Sequence, residues 1–255
     1  MITYFSGTGN SRHIAGRLAA LTADIACDIT RDTSGIRDDD HVLGLVFPVY
    51  AWGLPRIYER FLSSIPLRQF TYIYMVCTCG DDTGCTDRIL ARRLKTLGNK
   101  RLSAAFSVRM PNTYIGLPGF DVDTKEIAQA KLAQANGRLT TIAETINAQR
   151  EGYTDVWRGR FPRLKSYLLR PLFNLLLTSD KAFHTTDRCQ RCGKCVAVCP
   201  LHNIRTGKDG LPSWQGHCAT CLRCYHACPC HAIEYRPFGK GKGQYLFPEN
   251  KKLTQ

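Results

Sequence analysis

The chain opens on MITYFSGTGNS, residues 1–11, in which a short apolar run leads directly into a loop of small and hydroxylated residues. The apolar run is typical of a buried strand, and HIAGRLAALT, which follows the loop, has helical periodicity. Small side chains let the backbone amides of such a loop curl around an anion, and the helix dipole favours negative charge there. The stretch therefore predicts a strand, a phosphate-binding loop and a helix, in that order.

The composition of this loop narrows the kind of phosphate. A Walker loop ends in Gly-Lys-Ser/Thr, and the dinucleotide fingerprint needs a third glycine where Arg12 stands. Neither pattern is complete, and a hydroxyl-rich loop suits a monophosphate better than a triphosphate. The remaining alternative is a helix cap with a glycine-rich turn that binds no ligand.

Strand and helix patterns alternate through the N-terminal half of the chain. Candidate strands are MITYF, DIACDI, HVLGLVF, FTYIYMVCT and AAFSVR, with helical segments between and after them. This alternation predicts the α/β class, with a doubly wound parallel sheet covered by helices on both faces. Ligands of such sheets bind in the loops beyond the carboxyl ends of the strands.

Two further loops of this kind have distinctive compositions. PVYAWGLP, residues 48–55, presents Tyr50 and Trp52 on a turn bounded by prolines. These rings could stack on a flat ligand, although aromatic residues also bury large area in ordinary loop packing. CTCGDDTGC, residues 77–85, is polar and contains glycine, as a loop must when its backbone approaches a ring edge closely. The spacing of its three cysteines, Cys77, Cys79 and Cys85, does not indicate a role for them.

Taken together, the three loops resemble those of flavodoxin, a family that binds FMN noncovalently and transfers electrons. The resemblance implies a five-stranded parallel sheet of order 2-1-3-4-5 over residues 1–152. Many flavodoxins carry a second aromatic residue in the third loop, where this chain has cysteine and glycine, so one flavin face is expected to be open, or covered by residues 110–114. The residues that the resemblance assigns to FMN binding are Ser6, Gly7, Thr8, Gly9, Asn10, Ser11, Pro48, Tyr50, Trp52, Gly53, Cys79, Gly80 and Asp81.

Nine of the thirteen cysteines are concentrated in the C-terminal part of the chain. The motif C-x2-C-x2-C-x3-C-P occupies residues 189–200 and recurs at residues 218–229, each cysteine 29 positions after its counterpart. The same offset relates Ile204 to Ile233, which indicates an internal duplication. In a chain without a secretory signal, cysteines at such spacing are more typical of metal ligands than of disulfides.

The spacing within each motif indicates an iron-sulfur cluster. Three cysteines at three-residue steps wrap a loop so that their thiolates converge on three corners of a cubane, and the fourth, followed by proline, reaches the other cluster. Zinc knuckles are the alternative, but they use two well-separated C-x2-C pairs. We therefore expect two 4Fe-4S clusters, one on Cys189, Cys192, Cys195 and Cys228 and the other on Cys218, Cys221, Cys224 and Cys199. Cys230 is expected to be a small core residue.

This cysteine-rich region resembles a bacterial-type two-cluster ferredoxin, a small α+β domain, over residues 186–236. The whole chain resembles the flavodoxin-ferredoxin fusion proteins of anaerobic bacteria. The resemblance explains least about a connector, residues 153–185, and a C-terminal tail, residues 237–255. It implies a protein that shuttles low-potential electrons between two clusters and FMN, with no side chain performing acid-base chemistry.

The connector is predicted to form a basic amphipathic helix over residues 157–177, kinked or divided at Pro171. Such a helix could lie peripherally on anionic lipid or dock a partner. We favour a different interpretation, in which its apolar side is buried between the two predicted domains and its bases face water. Its most apolar run, residues 167–177, is too short and too interrupted to span a bilayer.

Charge and composition bear on location and partners. The formal net charge is +14, and residues 154–255 hold 17 Lys and Arg against 6 Asp and Glu. A basic electron carrier suits acidic redox partners. With no signal peptide visible, a cytoplasmic location is expected.

One alternative function is a flavin-dependent reductase of a small acceptor, such as a quinone or nitro compound, fed by the clusters. Another is a redox sensor that binds nucleic acid, but no DNA- or RNA-binding signature supports it, and no nucleic-acid partner is expected.

Overall fold

The computed structural model describes residues 1–31, 36–37, 39–235 and 237–248. The chain divides into two compact units. Unit 1 comprises Met1–Ser6, Asn10–Pro111 and Lys125–Phe173, and unit 2 comprises Gly7–Gly9, Asn112–Thr124 and the chain from Asn174 onward. Residue 236, the last of the predicted ferredoxin region, and residues 249–255 of the predicted tail lie outside the described residues.

Within the described residues, unit 1 is built on a six-stranded parallel sheet, which confirms the predicted α/β class and parallel pairing. The spatial order is β2-β1-β3-β4-β5-β6. The sequence predicted five strands, and the sixth, β6, lies in the stretch that was expected to begin the connector. Its sequence, Tyr-Thr-Asp, is not an apolar run, so no local pattern marks it as a strand. The strands are β1 Ile2–Tyr4, β2 Ala26–Asp28, β3 Val42–Pro48, β4 Tyr72–Cys79, β5 Ala104–Arg109 and β6 Tyr153–Asp155.

Among the residues that the structure describes, four α-helices connect these strands, and they occur where the sequence predicts them. Helix α1 packs against α4, and α2 packs against α3, so the helices form two pairs. All eight residues of β4 are buried, as expected for a central strand covered on both faces. The helices are α1 Asn10–Leu21, α2 Arg56–Ser64, α3 Thr86–Gly98 and α4 Lys125–Asn147.

A further helical run follows β6 and is called here the connector helix. It consists of α5 Pro162–Leu164, a π-helical stretch Lys165–Leu169, and α6 Arg170–Leu176. Of the two outcomes predicted at Pro171, a kink or a division, the division is wrong, because the run continues through this residue. Proline lacks the N–H that would bond one turn back, and the wider π-helical turn precedes it. No helix among the described residues has the length and apolarity needed to cross a bilayer.

The orientation of the connector helix is opposite to the predicted one. Lys165 forms an ion pair with Asp82, and Arg170 forms one with Glu59 at 2.9 Å, so two of its bases are directed at unit 1. Its large apolar side chains, such as Leu168, are instead exposed. The prediction that the leucines are buried is therefore wrong. The prediction that the bases face water holds for Arg160 and Arg163 but not for Lys165 and Arg170. Hydrophobic periodicity locates the faces of a helix but does not say which of them finds acidic partners.

Over its described residues, unit 2 contains the end of the connector helix, a single 3-10 turn, two small antiparallel sheets and two further short α-helices. Strand β7 Phe183–Thr185 pairs with β10 Ile233–Tyr235, and β8 Ile204–Thr206 pairs with β9 Pro212–Trp214. Helices α7 Lys194–Ala197 and α8 Arg223–Ala227 lie between the strands. The core is formed by the buried residues Ile115, Phe183, Ile204, Leu222, Tyr225, Ile233 and Tyr235.

The sequence duplication in unit 2 is also a duplication of backbone conformation. Left-handed backbone is uncommon in residues other than glycine, so its recurrence at equivalent positions is informative. Three pairs of residues 29 positions apart share it: Arg191 and Thr220 (φ 54° and 54°), Gly193 and Leu222 (70° and 59°), and His202 and His231 (50° and 50°). The two halves therefore follow the same path around their cysteines.

Candidate functional site

The eight motif cysteines line cavities within unit 2, in two sets of four. One cavity is lined by the first three cysteines of the first motif and the last cysteine of the second motif: Cys189, Cys192, Cys195 and Cys228. Another is lined by the complementary set: Cys218, Cys221, Cys224 and Cys199. The structure thus brings together the same two groups of residues that the sequence assigns to two clusters.

The local fold explains how each set is presented. The left-handed residues Gly193 and Leu222 immediately precede α7 and α8, and end the loop that carries the first two cysteines of each motif. The third cysteine, Cys195 or Cys224, lies in the first turn of the short helix. The loop and the helix therefore direct three thiols of one motif toward one cavity.

Backbone amides hold the fourth cysteine of each motif. The N–H of Asn203 donates to Sγ of Cys199 at 3.3 Å, and the N–H of Ala232 donates to Sγ of Cys228 at 3.2 Å. Asn203 and Ala232 are 29 positions apart, so the two contacts are equivalent. Hydrogen bonds to cysteine sulfur stabilise negative charge on it and help to set the potential of a bound cluster.

Burial strongly affects the protonation of these thiols. It raises the pKa of Cys195 to about 11 and that of Cys218 to about 12, and it raises the pKa of Cys224 well above the ordinary value. Thiols in such surroundings stay protonated at neutral pH unless a cation compensates the thiolate charge. Metal binding supplies that compensation and deprotonates a coordinating thiol outright. The donor set therefore fits a metal group.

The spacing of the thiols also bears on the kind of metal group. Within the described residues, no three His, Cys, Asp or Glu side chains are gathered as they would be around a single metal ion. The ligands of a 4Fe-4S cluster differ from such a group, because each binds a different iron at a corner of the cubane. Thiols distributed around a cavity are compatible with that arrangement.

Cys230 lies beside the first cavity. Its Sγ is 3.8 Å from Sγ of Cys228, and it lines the same cavity wall while remaining half-exposed. The sequence interprets Cys230 as a small core residue, but its thiol is half-exposed and lies next to the predicted ligand Cys228.

The sequence suggests that His226, between two motif cysteines, is solvated or tunes the cluster potential weakly, but the residue is buried. The N–H of Tyr245 donates to its Nδ1 at 3.2 Å, and its Nε2 lies 2.9 Å from the carbonyl oxygen of Thr113. These partners assign the neutral tautomer with the proton on Nε2. Burial lowers the pKa of His226 to about 4, in keeping with a neutral ring.

The three loops assigned to FMN follow β1, β3 and β4, which are neighbours in the sheet of unit 1. Oγ of Ser11 lies 2.7 Å from Oγ1 of Thr78. The N–H of Val49 donates to the carbonyl oxygen of Thr78 at 2.8 Å. The end of β4 therefore contacts both the helix start that follows the first loop and the beginning of the second loop.

The first loop is rich in buried polar groups. The side chains of Ser6, Thr8 and Ser11 are buried, and Gly9 has a φ of 109°, a conformation suited to glycine. Nδ2 of Asn10 donates to the carbonyl oxygen of Pro111 at 2.9 Å. Its Oδ1 is buried and has no hydrogen-bond partner among the described residues. A buried acceptor without a donor is costly, and a ligand hydroxyl or N–H would satisfy it.

The second loop is a tight turn in an unusual conformation. Tyr50 and Gly53 exchange backbone hydrogen bonds of 3.0 and 3.1 Å, and the two residues between them, Ala51 and Trp52, both have left-handed backbone with φ of 47° and 55°. Such turns normally use glycine or asparagine, so this one is strained. The ring of Tyr50 meets that of Phe5 edge-on at 6.3 Å.

The three residues of the third loop that are predicted to bind FMN differ from one another in burial and in partners. Cys79 is buried at the end of β4, and burial raises the pKa of its thiol to about 12. The carbonyl oxygen of Gly80 accepts from Nζ of Lys131 at 2.9 Å, whereas the side chain of Asp81 is exposed. The other cysteines of this loop, Cys77 and Cys85, are also buried.

The connector helix holds the second and third loops, a role that sequence reasoning missed. The hydroxyl of Ser166 accepts from the N–H of Cys85 at 2.7 Å and donates to the carbonyl oxygen of Trp52 at 2.8 Å. Arg170 donates to the carbonyl oxygen of Leu54 at 3.0 Å. No local pattern marks these residues, because their partners lie between 81 and 116 positions away along the chain.

Comparison with known proteins identifies the cysteine-rich region. Residues 181–229 match a family model described as a 4Fe-4S dicluster domain. The chain is also similar to an uncharacterized polyferredoxin-like protein of Methanocaldococcus jannaschii, with 38% identity over 47 residues. That match covers 18% of this chain and 29% of the relative, so the chain spans less than a third of the relative's length. Residues 181–229 thus form an iron-sulfur domain of the 4Fe-4S ferredoxin type, the class of domain that transfers electrons.

Proposed function

We propose that this protein is an electron-transfer flavo-iron-sulfur protein that binds two 4Fe-4S clusters and FMN and shuttles low-potential electrons between them. The observation that carries the proposal is the grouping of the motif cysteines. Each cavity is lined by three cysteines of one motif and the fourth cysteine of the other. Chance spacing would not produce two complementary sets with the same backbone conformation around both.

The roles of the cysteines in this function follow from their surroundings. Each thiolate would bind one iron, and the amides of Asn203 and Ala232 would donate to ligand sulfur. When bound, each cluster supplies reversible one-electron chemistry at a potential set by burial and hydrogen bonding. The protein residues need to hold geometry and charge, and none of them needs to transfer a proton.

Binding of FMN is supported by the resemblance to flavodoxin and by the first loop. The buried hydroxyls of Ser6, Thr8 and Ser11 and the amides of that loop would hold the phosphate. The unpartnered Oδ1 of Asn10 would accept a hydrogen bond from the cofactor. When bound, the flavin can exchange one or two electrons.

The other two loops would contact the flavin ring. Tyr50 and Trp52 lie on the strained turn, and strained backbone is concentrated at binding sites in proteins. Pro48 ends β3 two residues before that turn, and Gly53 closes the turn. The backbone at Cys79 and Gly80 would approach the ring edge. The exposed side chain of Asp81 contributes charge at the rim.

The charge of the chain indicates the kind of protein partner. With 17 Lys and Arg against 6 Asp and Glu in residues 154–255, this part stays basic even after negatively charged clusters are counted. Acidic redox proteins would be steered toward such a surface, and their association would weaken as salt is added.

The test is an anaerobic reductive titration of purified protein, followed by flavin absorbance and low-temperature EPR, after iron and FMN have been counted. We expect roughly eight irons and one FMN per chain, with clusters and flavin reduced in communication. Absence of flavin, or flavin that stays oxidised while the clusters are fully reduced, would contradict the proposal. Turnover of a quinone or nitro compound at enzyme-like rates would favour a reductase over a carrier.

A further inference from the structure

The connector helix and the residue just before it expose a row of large apolar side chains, called here the leucine face. It consists of Phe161, Leu164, Leu168, Leu169 and Leu172, spaced at three, four, one and three residues. Leu168 is 64% exposed and Leu172 is 53% exposed, far more than apolar residues of a folded core. Contiguous exposed apolar surface on a protein commonly marks an interaction site.

The opposite side of the helix is fixed to unit 1, so the leucine face cannot roll inward at low cost. Ser166 is buried and bonded to two loops. Lys165 pairs with Asp82, and Arg170 pairs with Glu59. Turning the leucines toward unit 1 would break all of these contacts and leave buried polar groups unpaired. The exposure is thus imposed by the polar anchoring of the other side.

The rim of the leucine face is basic. No acidic residue occurs between Asp155 and Asp180, and Arg160 and Arg163 are exposed on the same segment. From the neighbouring helix α3, the guanidinium of Arg92 lies over the ring of Tyr167 at 5.1 Å. Apolar side chains flanked by arginines are typical of helices that lie in the membrane interface.

We propose that the leucine face docks on an anionic lipid surface. Its leucines would enter the boundary between headgroups and acyl chains, and Arg160 and Arg163 would contact lipid phosphates. A second copy of this chain is a poorer occupant, because a symmetric contact would bring the arginine rims of both copies together. An anionic bilayer meets the whole rim with complementary charge. This inference does not depend on bound flavin.

The test is flotation of the cluster-loaded full chain with vesicles, performed anaerobically. One vesicle type is pure phosphatidylcholine, and the other contains phosphatidylcholine and phosphatidylglycerol in equal amounts. We expect binding to the anionic vesicles and much weaker binding to the neutral ones, with the difference shrinking as salt is raised. Replacement of both exposed arginines, Arg160→Ala with Arg163→Ala, should weaken anionic binding by about 30-fold.

The apolar contribution is tested by Leu168→Ser combined with Leu172→Ser, which should weaken binding by about tenfold or more. A matched control is Ile25→Ser combined with Ile127→Ser, because these residues are 64% and 48% exposed and lie outside the leucine face. The control should bind as the unmodified chain does. Iron content and visible absorbance of each variant report whether unit 2 is intact.

Four results would overturn the proposal. They are failure of the unmodified chain to float with anionic vesicles, equal binding to neutral vesicles, binding that survives the leucine substitutions, and a concentration-dependent dimer that those substitutions convert to monomer. The last would identify a self-association surface. If the leucine variant lost its iron, the arginine variant alone would test the proposal, because Arg160 and Arg163 are exposed and can be replaced without disturbing packed residues.

Discussion

The hydroxyl of Ser166 donates to the carbonyl oxygen of Trp52 at 2.8 Å. The same hydroxyl accepts from the N–H of Cys85 at 2.7 Å, so one buried side chain of the connector helix joins the second and third candidate flavin loops. Without it, both backbone groups would lose a partner. The connector helix therefore stabilises the strained turn at Trp52 instead of only linking two parts of the chain.

Ser166→Ala is expected to destabilise unit 1 by about 1–3 kcal/mol, because it leaves a buried carbonyl and a buried N–H unsatisfied. It should also weaken FMN binding, since the turn that carries Trp52 loses its anchor. Thermal unfolding and fluorescence titration with FMN measure the two effects. Ser64→Ala is the control, because Oγ of Ser64 donates only to the carbonyl oxygen of Phe61 in its own helix. Equal behaviour of the two variants would argue against an anchoring role.

Gly9→Ala is expected to lower FMN affinity strongly, because a φ of 109° is unfavourable for any residue with a Cβ. The amides of the first loop would then leave the positions in which they can surround a phosphate. Isothermal titration of the flavin-free protein with FMN measures the loss. Gly16→Ala is the matched control: Gly16 is helical, and an added Cβ would meet nothing within 4 Å. The control should be neutral or stabilising, by about 1 kcal/mol at most. Unchanged affinity in Gly9→Ala would exclude this loop as the phosphate site.

Double substitutions test the crossed assignment of the cysteines. If Cys189 and Cys228 serve the same cluster, Cys189→Ser combined with Cys228→Ser should lose about four irons, no more than either single variant. Cys218→Ser combined with Cys228→Ser should lose about eight, because these residues line different cavities. Iron analysis and EPR of anaerobically purified variants give the counts. The reverse pattern would show that each motif binds its own cluster.

Cys230→Ser is expected to keep the full iron content, because Cys230 is assigned a packing role. Its Sγ lies 3.8 Å from Sγ of Cys228, so the thiol is close enough to compete for iron if the ligand is removed. Iron analysis of Cys230→Ser, Cys228→Ser and the double variant distinguishes the roles. Loss of about four irons from Cys230→Ser alone would make Cys230 the ligand and Cys228 the packing residue.

Much of the fold could be predicted from the sequence because its signals are local. The strands are apolar runs and the long helices are periodic, so both can be recognised within a few turns of chain. The cysteine sets could be predicted for a similar reason, since the 29-residue offset and the three-residue steps constrain where the thiols point. Strand β6 Tyr153–Asp155 was missed because its sequence, Tyr-Thr-Asp, is not an apolar run.

The orientation of the connector helix could not be predicted, because it is decided by contacts that are distant in sequence. Its apolar and basic faces were both recognised, but which of them packs inward depends on Asp82 and Glu59. Those acids lie on the third loop and on α2, and nothing in their sequence surroundings connects them with the helix. Burial of a leucine face is the usual outcome, and specific ion pairs and the hydroxyl of Ser166 overrode it here.

The two cysteine sets differ in the exposure of one ligand, which predicts an order of iron loss. Each cavity has one buried cysteine, Cys228 or Cys224, but only the first has an exposed one, Cys192. A water-soluble chelator should therefore remove iron from the first cavity several-fold faster, because it reaches those ligands without local unfolding. Iron release in the presence of a coloured ferrous chelator should show two phases. Cys192→Ser, which should retain only the second cluster, should show the slow phase, and Cys224→Ser should show the fast one. Equal release rates in the two variants would mean that ligand exposure does not control cluster loss.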